Sequence, residues 1–159
     1  MYIRPARTDD VTAIQEIGCK TWPATYSFAG EDFIEDGLVT WWSTEAVLRS
    51  LDDTTVLVAE DDDQIIGMGN IDLRGDVAVI WKLYVLPHAQ HSGVGSALLA
   101  ALISNVPDGT ESVRLEYVDG NDRAAAFYAA NGFTELRREP GSQPGWPETV
   151  WAARQLVRG

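Results

Sequence analysis

The chain has 159 residues, of which 45% are hydrophobic and 23% charged, and its formal net charge is −12. This length and apolar content exclude a disordered chain and suit a single domain spanning residues 1–159. The acidic balance argues against nucleic acid as a partner, because phosphate would be repelled. It could attract a cationic substrate such as an amine, although acidic surfaces often serve solubility alone.

The sequence carries no sign of a membrane or secreted protein. No segment has the length and apolarity of a membrane span, and the N-terminal residues lack the apolar core of a signal peptide. The single cysteine, Cys19, excludes an internal disulfide and is compatible with a reducing compartment. We therefore expect a cytoplasmic protein that has no membrane partner.

The N-terminal third predicts a strand over residues 2–6 and a helix that begins at Thr8. Residues 18–23 are expected to loosen this helix, because they include a glycine and a proline. Residues 22–42 are rich in aromatic side chains but show no clean periodicity, so no regular element is predicted there. A second helix is predicted after Ser43, whose hydroxyl can cap it.

The rest of the chain alternates clearly between strand and helix patterns. It predicts three strands over residues 54–60, 64–73 and 77–85, and then a helix over about 94–105. A fourth strand follows over residues 112–118 and another helix over 121–131. The strands of a closing hairpin are predicted over residues 133–138 and 148–156. Short polar turns between the first three strands favour an antiparallel meander. The fourth strand follows a helix, so it should lie parallel to the strand before that helix.

The glycine loop, residues 87–96, joins a strand to a helix. Pro87 ends the strand, and Gly93 and Gly95 precede a run of strong helix formers. Backbone N–H groups at such a junction lack partners and lie at the positive end of the helix. Glycine has no Cβ to keep an anion away, so the loop predicts a main-chain site for a pyrophosphate. An ordinary tight turn is the alternative.

Two motifs resemble the GNAT superfamily of N-acetyltransferases. The glycine loop resembles that family's coenzyme A signature, through Val85, Pro87, Gln90, Gly93 and Gly95. A second block matches the family in order and distance, through Leu115, Glu116, Asn121, Phe127, Tyr128, Asn131, Gly132 and Phe133. The resemblance implies an α/β fold with a mixed, mostly antiparallel sheet flanked by helices, in which a splayed parallel strand pair holds coenzyme A.

The same resemblance implies that acetyl-CoA is the cosubstrate. No metal is expected, because no third ligand is placed near His88 and His91. The strand before the glycine loop would pair with the pantetheine amides. The implied cofactor-binding residues are Leu83, Tyr84, Val85, Gln90, His91, Ser92, Gly93, Val94, Gly95, Ser96, Asn121 and Tyr128. His91 and Ser92 stand where arginine is common in the family, so phosphate binding should depend more on amides than on fixed charge.

Acetyl transfer to an amine needs a neutral amine, a donor for the oxyanion and a proton for the leaving thiolate. The resemblance implies Glu116 as the base, acting directly or through a water, and Tyr128 as the acid. The structural alternatives are that Glu116 is a surface glutamate and that Tyr128 is only a packed aromatic ring. The sequence does not decide on which face of the strand Glu116 lies. Asp119 and Asp72 are reserve bases, and a backbone amide near Val85 is the expected oxyanion donor.

The aromatic segment after the first helix resembles the part of GNAT proteins that shapes the acceptor pocket. We expect Trp22, Tyr26 and Phe28 to contact the substrate, with a core patch or a homodimer face as the alternative. The predicted function is acetyl transfer from acetyl-CoA to a primary amine by direct attack through a tetrahedral intermediate. The acceptor is expected to be a small molecule. A protein N-terminal acetyltransferase and a catalytically silent coenzyme A-binding module are the alternatives.

Overall fold

The computed structural model describes residues 1–156, which form one sheet with helices on both faces. The strands of this part of the chain are β1 (Tyr2–Pro5), β2 (Thr55–Asp61), β3 (Gln64–Asp72), β4 (Ala78–Val85), β5 (Ser112–Val118), β6 (Thr134–Glu139) and β7 (Thr149–Gln155). Its α-helices are α1 (Val11–Thr25), α2 (Glu31–Trp42), α3 (Thr44–Asp53), α4 (Val94–Ile103) and α5 (Asp122–Ala130).

The sheet has the strand order β1-β2-β3-β4-β5-β7-β6. Every neighbouring pair is antiparallel except β4 and β5, which are parallel because helix α4 connects them as a crossover. The closing hairpin places β7, rather than β6, beside β5. The predicted α/β class, with a mixed and mostly antiparallel sheet, is confirmed, and so is the antiparallel meander of β2, β3 and β4.

Strand β4 contains a bulge at Trp81, which lies between the residues that pair with Asn70 and Ile71 of β3. The pairing of β4 with β5 is confined to residues 78–80 opposite residues 113–115 and ends just before this bulge. A bulge bends a strand and increases its twist, so β4 and β5 diverge beyond it. The predicted splay is confirmed, and it opens a cleft at the carboxyl ends of the two strands.

Each face of the sheet is covered by its own set of helices. Helices α4 and α5 cover one face, where Leu98, Leu99 and Leu102 of α4 pack against strand residues such as Ile80 and Leu115. Helices α1, α2 and α3 cover the other face and pack on β2, β3 and β4. Burial of each of these leucines contributes about 1.5–3 kcal/mol to the stability of the fold, so α4 is firmly attached to the sheet. No helix within residues 1–156 is long and apolar enough to span a membrane.

Helices α1 and α2 differ from the prediction. Helix α1 continues through Pro23 to Thr25, so its predicted loosening at residues 18–23 is wrong. Helix α2 occupies residues 31–42, where the sequence pattern predicts no regular element. The helix after Ser43 is confirmed, and the Ser43 hydroxyl accepts a hydrogen bond from a first-turn amide of α3.

Two tryptophan rings account for the glycines of α1 and α2. A Cβ on Gly18 would lie 2.2 Å from the Trp42 ring, and a Cβ on Gly37 would lie 1.9 Å from the Trp22 ring. Each glycine therefore makes room for a large aromatic side chain between helices. Tertiary packing overrides the low helix propensity of glycine here, which is why the local pattern misleads.

Candidate active site

Two side chains fix the glycine loop, one by bonding to the end of β4 and one by bonding within the loop. The Gln90 amide donates a hydrogen bond of 3.0 Å to the Val85 carbonyl, and the Ser92 hydroxyl donates to the Ala89 carbonyl. Gly93 is the N-cap residue of α4 and has a φ of 89°, in the left-handed region that favours glycine. A Cβ placed on Gly93 would meet no atom within 4 Å. The loop is therefore fixed while the space above it is open.

The first turn of α4 presents amides to that open space. Its first intrahelical hydrogen bond runs from the Ala97 amide to the Gly93 carbonyl, at 3.0 Å. The amides of residues 94–96 thus have no acceptor within the helix, and they lie at its positive end. A Cβ on Gly95 would lie 3.5 Å from the Phe127 ring, so α5 borders the same space. These observations fit a pyrophosphate bound at the glycine loop.

The backbone of β4 offers a free edge inside the cleft. The Leu86 amide donates to the Ile66 carbonyl of β3 at 2.8 Å. Because hydrogen bonding alternates along an antiparallel strand, the backbone groups of Leu83 and Val85 point away from β3, toward the splay. The Val85 carbonyl accepts from Gln90, which leaves the Val85 amide facing the cleft. This edge fits the amides of a pantetheine arm, and the Val85 amide is the candidate for the expected oxyanion donor.

Two tyrosine hydroxyls meet between α1 and β4. The Tyr26 and Tyr84 oxygens lie 2.8 Å apart, and Tyr26 is only 4% exposed. Burial raises the pKa of Tyr84 well above its ordinary value, and the neighbouring Tyr26 phenol raises it further. Burial also raises the pKa of Tyr26, as does the charge of Glu116, whereas its hydrogen bonds to Tyr84 and Asn121 oppose the shift. Both phenols are therefore neutral proton donors at neutral pH.

Tyr128 lies on α5, at the other side of the same cleft. Its ring stacks on Tyr117 at a centroid distance of 6.0 Å and meets Phe127 and Phe133 edge to face. Burial raises the pKa of Tyr128, and the Tyr26 phenol raises it further. Tyr128 is thus a packed aromatic residue that also keeps its proton, as a general acid requires.

Glu116 occupies the face of β5 that is turned toward α1. Leu115 and Tyr117 pack in the core beneath α4 and α5, and Val118 packs in the core beneath α1, α2 and α3. Side chains alternate along a strand, so Glu116 shares the face of Val118, which answers the question left open by the sequence. Burial raises the pKa of Glu116, and the nearby Glu139 carboxylate raises it further. A carboxylate of raised pKa suits a general base.

The helix cap and the reserve bases have clear positions. Asn121 caps α5, because its side-chain oxygen accepts a hydrogen bond from the Ala124 amide at 3.3 Å. Asp72 is the last residue of β3 and pairs with Val79 near the start of β4, away from the cleft, and the Arg74 guanidinium holds its pKa well below the ordinary value. The prediction of Asp72 as a reserve base is therefore wrong. Asp119 is exposed and forms an ion pair of 3.3 Å with an arginine of β6.

The acceptor side of the cleft is lined by aromatic rings. Phe28 is 47% exposed and packs over Gly120, where a Cβ would lie 2.5 Å from its ring. The Phe33 ring lies 5.5 Å from Tyr26 and 5.3 Å from Trp146, which meets it edge to face. Phe28 keeps the exposure that contact with a substrate requires, whereas Tyr26, predicted to contact it as well, is 4% exposed and packs behind Phe28.

The placement of Trp22 corrects one prediction. Trp22 is 7% exposed and packs against Gly37 of α2, so it supports Tyr26 from behind instead of facing a substrate. Phe33 and Trp146 were not among the candidate residues. Phe33 lies on the helix that the sequence pattern failed to reveal, and Trp146 lies in a loop rich in glycine and proline. Their aromatic side chains are the one feature of the sequence that could have indicated a place on the acceptor side of the cleft.

Within residues 1–156, no three or more His, Cys, Asp or Glu side chains are grouped so that they could hold a metal ion.

A family model described as an acetyltransferase (GNAT) domain matches residues 52–135, which is more than half of the chain. The chain resembles the PaiA N-acetyltransferase of Thermoplasma acidophilum, solved in complex with coenzyme A, with a TM-score of 0.85 and 23% identity. That match covers 98% of this chain and 98% of that chain.

Two further solved structures share the fold. The ribosomal-protein-S18-alanine N-acetyltransferase of Escherichia coli has a TM-score of 0.78 at 20% identity, and the match covers 99% of this chain and 95% of that chain. Ard1 of Thermoplasma volcanium also has a TM-score of 0.78 at 20% identity, with coverage of 99% and 98%. Identities of this size show the fold and leave the acceptor open. No curated protein sequence matches the chain.

Proposed function

The chain belongs to the GNAT family of acetyl-CoA-dependent acetyltransferases, and we propose that its residues 1–159 form one domain that acetylates the primary amine of a small molecule. In this proposal, Glu116 is the general base, Tyr128 is the general acid, and the Val85 amide is the oxyanion donor. Phe28 forms the exposed wall that contacts the acceptor, and Tyr26 packs behind it.

The contact between Phe33 and Trp146 is the observation that carries the choice of a small acceptor. The two rings meet at a centroid distance of 5.3 Å and join α2 to the loop between β6 and β7. Phe33 also lies 5.5 Å from Tyr26, whose hydroxyl bonds to Tyr84 inside the cleft. This row of rings narrows the acceptor side, whereas an extended peptide needs an open groove.

Charge favours an acceptor that arrives as an ammonium ion. The chain has a formal net charge of −12, and Glu116 and Glu139 are close enough for one to raise the pKa of the other. Such a cleft attracts cations by long-range steering. The same carboxylate then serves the chemistry, because an alkyl amine with a pKa near 10 must lose a proton before it can attack.

The residues of the site can perform the transfer in a single encounter of the two substrates. Glu116 first accepts the ammonium proton, directly or through one water, and the neutral nitrogen then bonds to the thioester carbonyl carbon. The second proton that this nitrogen loses replaces the one that Tyr128 gives up. The Val85 amide donates a hydrogen bond to the carbonyl oxygen as negative charge develops there. Tyr128 donates its proton to the sulfur as the carbon–sulfur bond breaks. The products are an amide and the free thiol of coenzyme A.

Acetylation of a protein N-terminus is the second candidate. It is supported by the combination of Glu116, Asn121 and Tyr128, and by the fold shared with an enzyme named for a ribosomal-protein alanine. A catalytically silent coenzyme A-binding module is disfavoured, because such a module has no need of either the half-buried Glu116 carboxylate or the buried Tyr128 phenol.

A thiol-release assay tests the proposed function. Acetyl-CoA is incubated with the enzyme and with separate panels of small primary amines and of short peptides with free N-termini. We expect release of the coenzyme A thiol with small amines and at most slow release with peptides. Faster release with peptides would select the second candidate, and no release with any acceptor would select the silent module. A Glu116→Gln variant serves as the control for spontaneous hydrolysis.

A further inference from the structure

Arg123 reaches from α5 to the glycine loop, across the mouth of the cleft. Its Nη2 atom lies 2.6 Å from Nε2 of His91. An arginine is always protonated, so its guanidinium donates and the imidazole nitrogen accepts. The contact joins the two elements that border the phosphate end of the cofactor cleft, and neither the family motif nor the sequence pattern had drawn attention to Arg123.

The direction of Arg123 follows from the packing of α5. Residues 123 and 127 are four apart, so they lie on the same face of the helix. Phe127 packs against the start of α4, since a Cβ on Gly95 would lie 3.5 Å from its ring. The capping of α5 by Asn121 fixes where the helix begins. The face that carries Arg123 is therefore held toward the glycine loop by buried contacts and by the cap.

The glycine loop lacks a positively charged side chain of its own. His91 and Ser92 occupy the positions where the family often has arginine, and the Ser92 hydroxyl is engaged with the Ala89 carbonyl. Among residues 1–156, Arg123 forms no ion pair with a carboxylate, although the chain carries twice as many acidic as basic residues. A cation without a counter-charge beside open helix amides is suited to an anion.

We propose that Arg123 is the phosphate-binding cation of this enzyme and that it exchanges its contact with His91 for a phosphate oxygen of coenzyme A. The inference rests on the use of acetyl-CoA as cosubstrate. A guanidinium–phosphate bond is charge-assisted and about twice as strong as a neutral hydrogen bond, so the exchange is favourable. The phosphate belongs to the pyrophosphate or to the 3′-phosphate, which share the same chemistry toward an arginine.

Calorimetric titration with three ligands tests this assignment. Coenzyme A carries both phosphate groups, dephospho-coenzyme A lacks the 3′-phosphate, and pantetheine lacks all phosphates. Arg123→Gln is expected to weaken coenzyme A binding about 10-fold at low salt and to leave pantetheine binding unchanged, with partial recovery in Arg123→Lys. The 10-fold loss should shrink as salt is raised. Arg49 is exposed on α3, so the Arg49→Gln variant is the matched control and should bind all three ligands as the wild type does.

Dephospho-coenzyme A distinguishes the two phosphates. If it also loses affinity about 10-fold in Arg123→Gln, the arginine binds the pyrophosphate, and if it loses none, the arginine binds the 3′-phosphate. Unchanged affinity for coenzyme A in Arg123→Gln, or equal weakening for pantetheine, would overturn the assignment while leaving the proposed function intact. Failure of the wild type to bind coenzyme A would overturn the proposed function as well.

Discussion

The hydroxyl oxygens of Tyr26 and Tyr84 lie 2.8 Å apart, and this hydrogen bond joins the residue that follows α1 to β4 within the cleft. Tyr26 belongs to the aromatic cluster on the acceptor side, and β4 carries the free backbone edge that fits pantetheine. The bond therefore sets the distance between the place of the amine and the place of the thioester. Misplacement by about 1 Å can cost two orders of magnitude in rate, so this distance matters for catalysis.

Tyr26→Phe is expected to destabilise the fold and to weaken acceptor use. The substitution leaves the buried Tyr84 hydroxyl without its partner, which costs about 1–3 kcal/mol in the free energy of unfolding. The KM for the amine should rise while the Kd for coenzyme A stays constant. Urea unfolding and steady-state kinetics measure the two effects. The double variant Tyr26→Phe, Tyr84→Phe should lose less stability than the two single losses combined, and simple additivity would refute the coupling.

Tyr128→Phe is expected to slow the chemical step alone. The phenyl ring preserves the stacking on Tyr117, whereas the proton for the departing sulfur is lost. The turnover number should fall by about 10²- to 10⁴-fold, the usual range for a positioned acid. Coenzyme A affinity should change little, because the hydroxyl acts mainly in the transition state. Near-normal turnover with the best acceptor would reduce Tyr128 to a packing residue.

Gly93→Val is expected to abolish coenzyme A binding, because the side chain would fill the open space above the glycine loop. The valine also strains a residue with a φ of 89°. Gly30→Val is the matched control for strain, since Gly30 is the N-cap of α2, has a φ of 92° and also has no neighbour within 4 Å of a built Cβ. Calorimetry should show binding in the Gly30 variant only. Equal affinities of both variants for coenzyme A would show that the pyrophosphate does not bind at the glycine loop.

The ion pair between Arg4 and Asp10 predicts a pH-dependent contribution to stability. Their closest atoms are 2.8 Å apart, both side chains are largely buried, and the Arg4 guanidinium lowers the pKa of Asp10. A lowered folded-state pKa stabilises the fold above the unfolded value, near 3.9, and the contribution is lost as pH falls through the folded value. Asp10→Asn should cost about 1–3 kcal/mol at pH 7 in urea unfolding, because Arg4 keeps its ion pair with Glu60. The cost should shrink below about pH 4, and a pH-independent cost would contradict the ion pair.

Much of the sheet and of the glycine loop is readable from the sequence, because these features depend on local signals. Pro87 and Gly93 mark the loop through backbone chemistry, and Asn121 marks the start of α5 through its side-chain cap. The strands follow from alternating or continuous apolar runs between polar turns. Such signals act over a few residues, so no knowledge of distant partners is required.

The remaining features depend on partners far apart in the sequence. Gly37 looks like a helix breaker until the Trp22 ring is seen to fill the space beside it. The contact of Arg123 with His91 joins residues 32 positions apart, and it exists only because α5 packs beside α4. The bulge at Trp81, beyond which β4 and β5 diverge, can be recognised only when the register between β4 and β3 is known. No local propensity encodes these relationships.

The pH dependence of kcat/KM for wild type and Glu116→Gln tests the central claim most directly. Burial raises the pKa of Glu116, so wild-type activity should fall with decreasing pH through a value above the ordinary glutamate range near 4.3. Glu116→Gln should be about 10²- to 10⁴-fold slower at pH 7 and should recover as pH rises toward the amine pKa near 10, where free amine is already present. A Glu116→Gln profile that runs parallel to the wild type, with the same acid limb, would contradict Glu116 as the base.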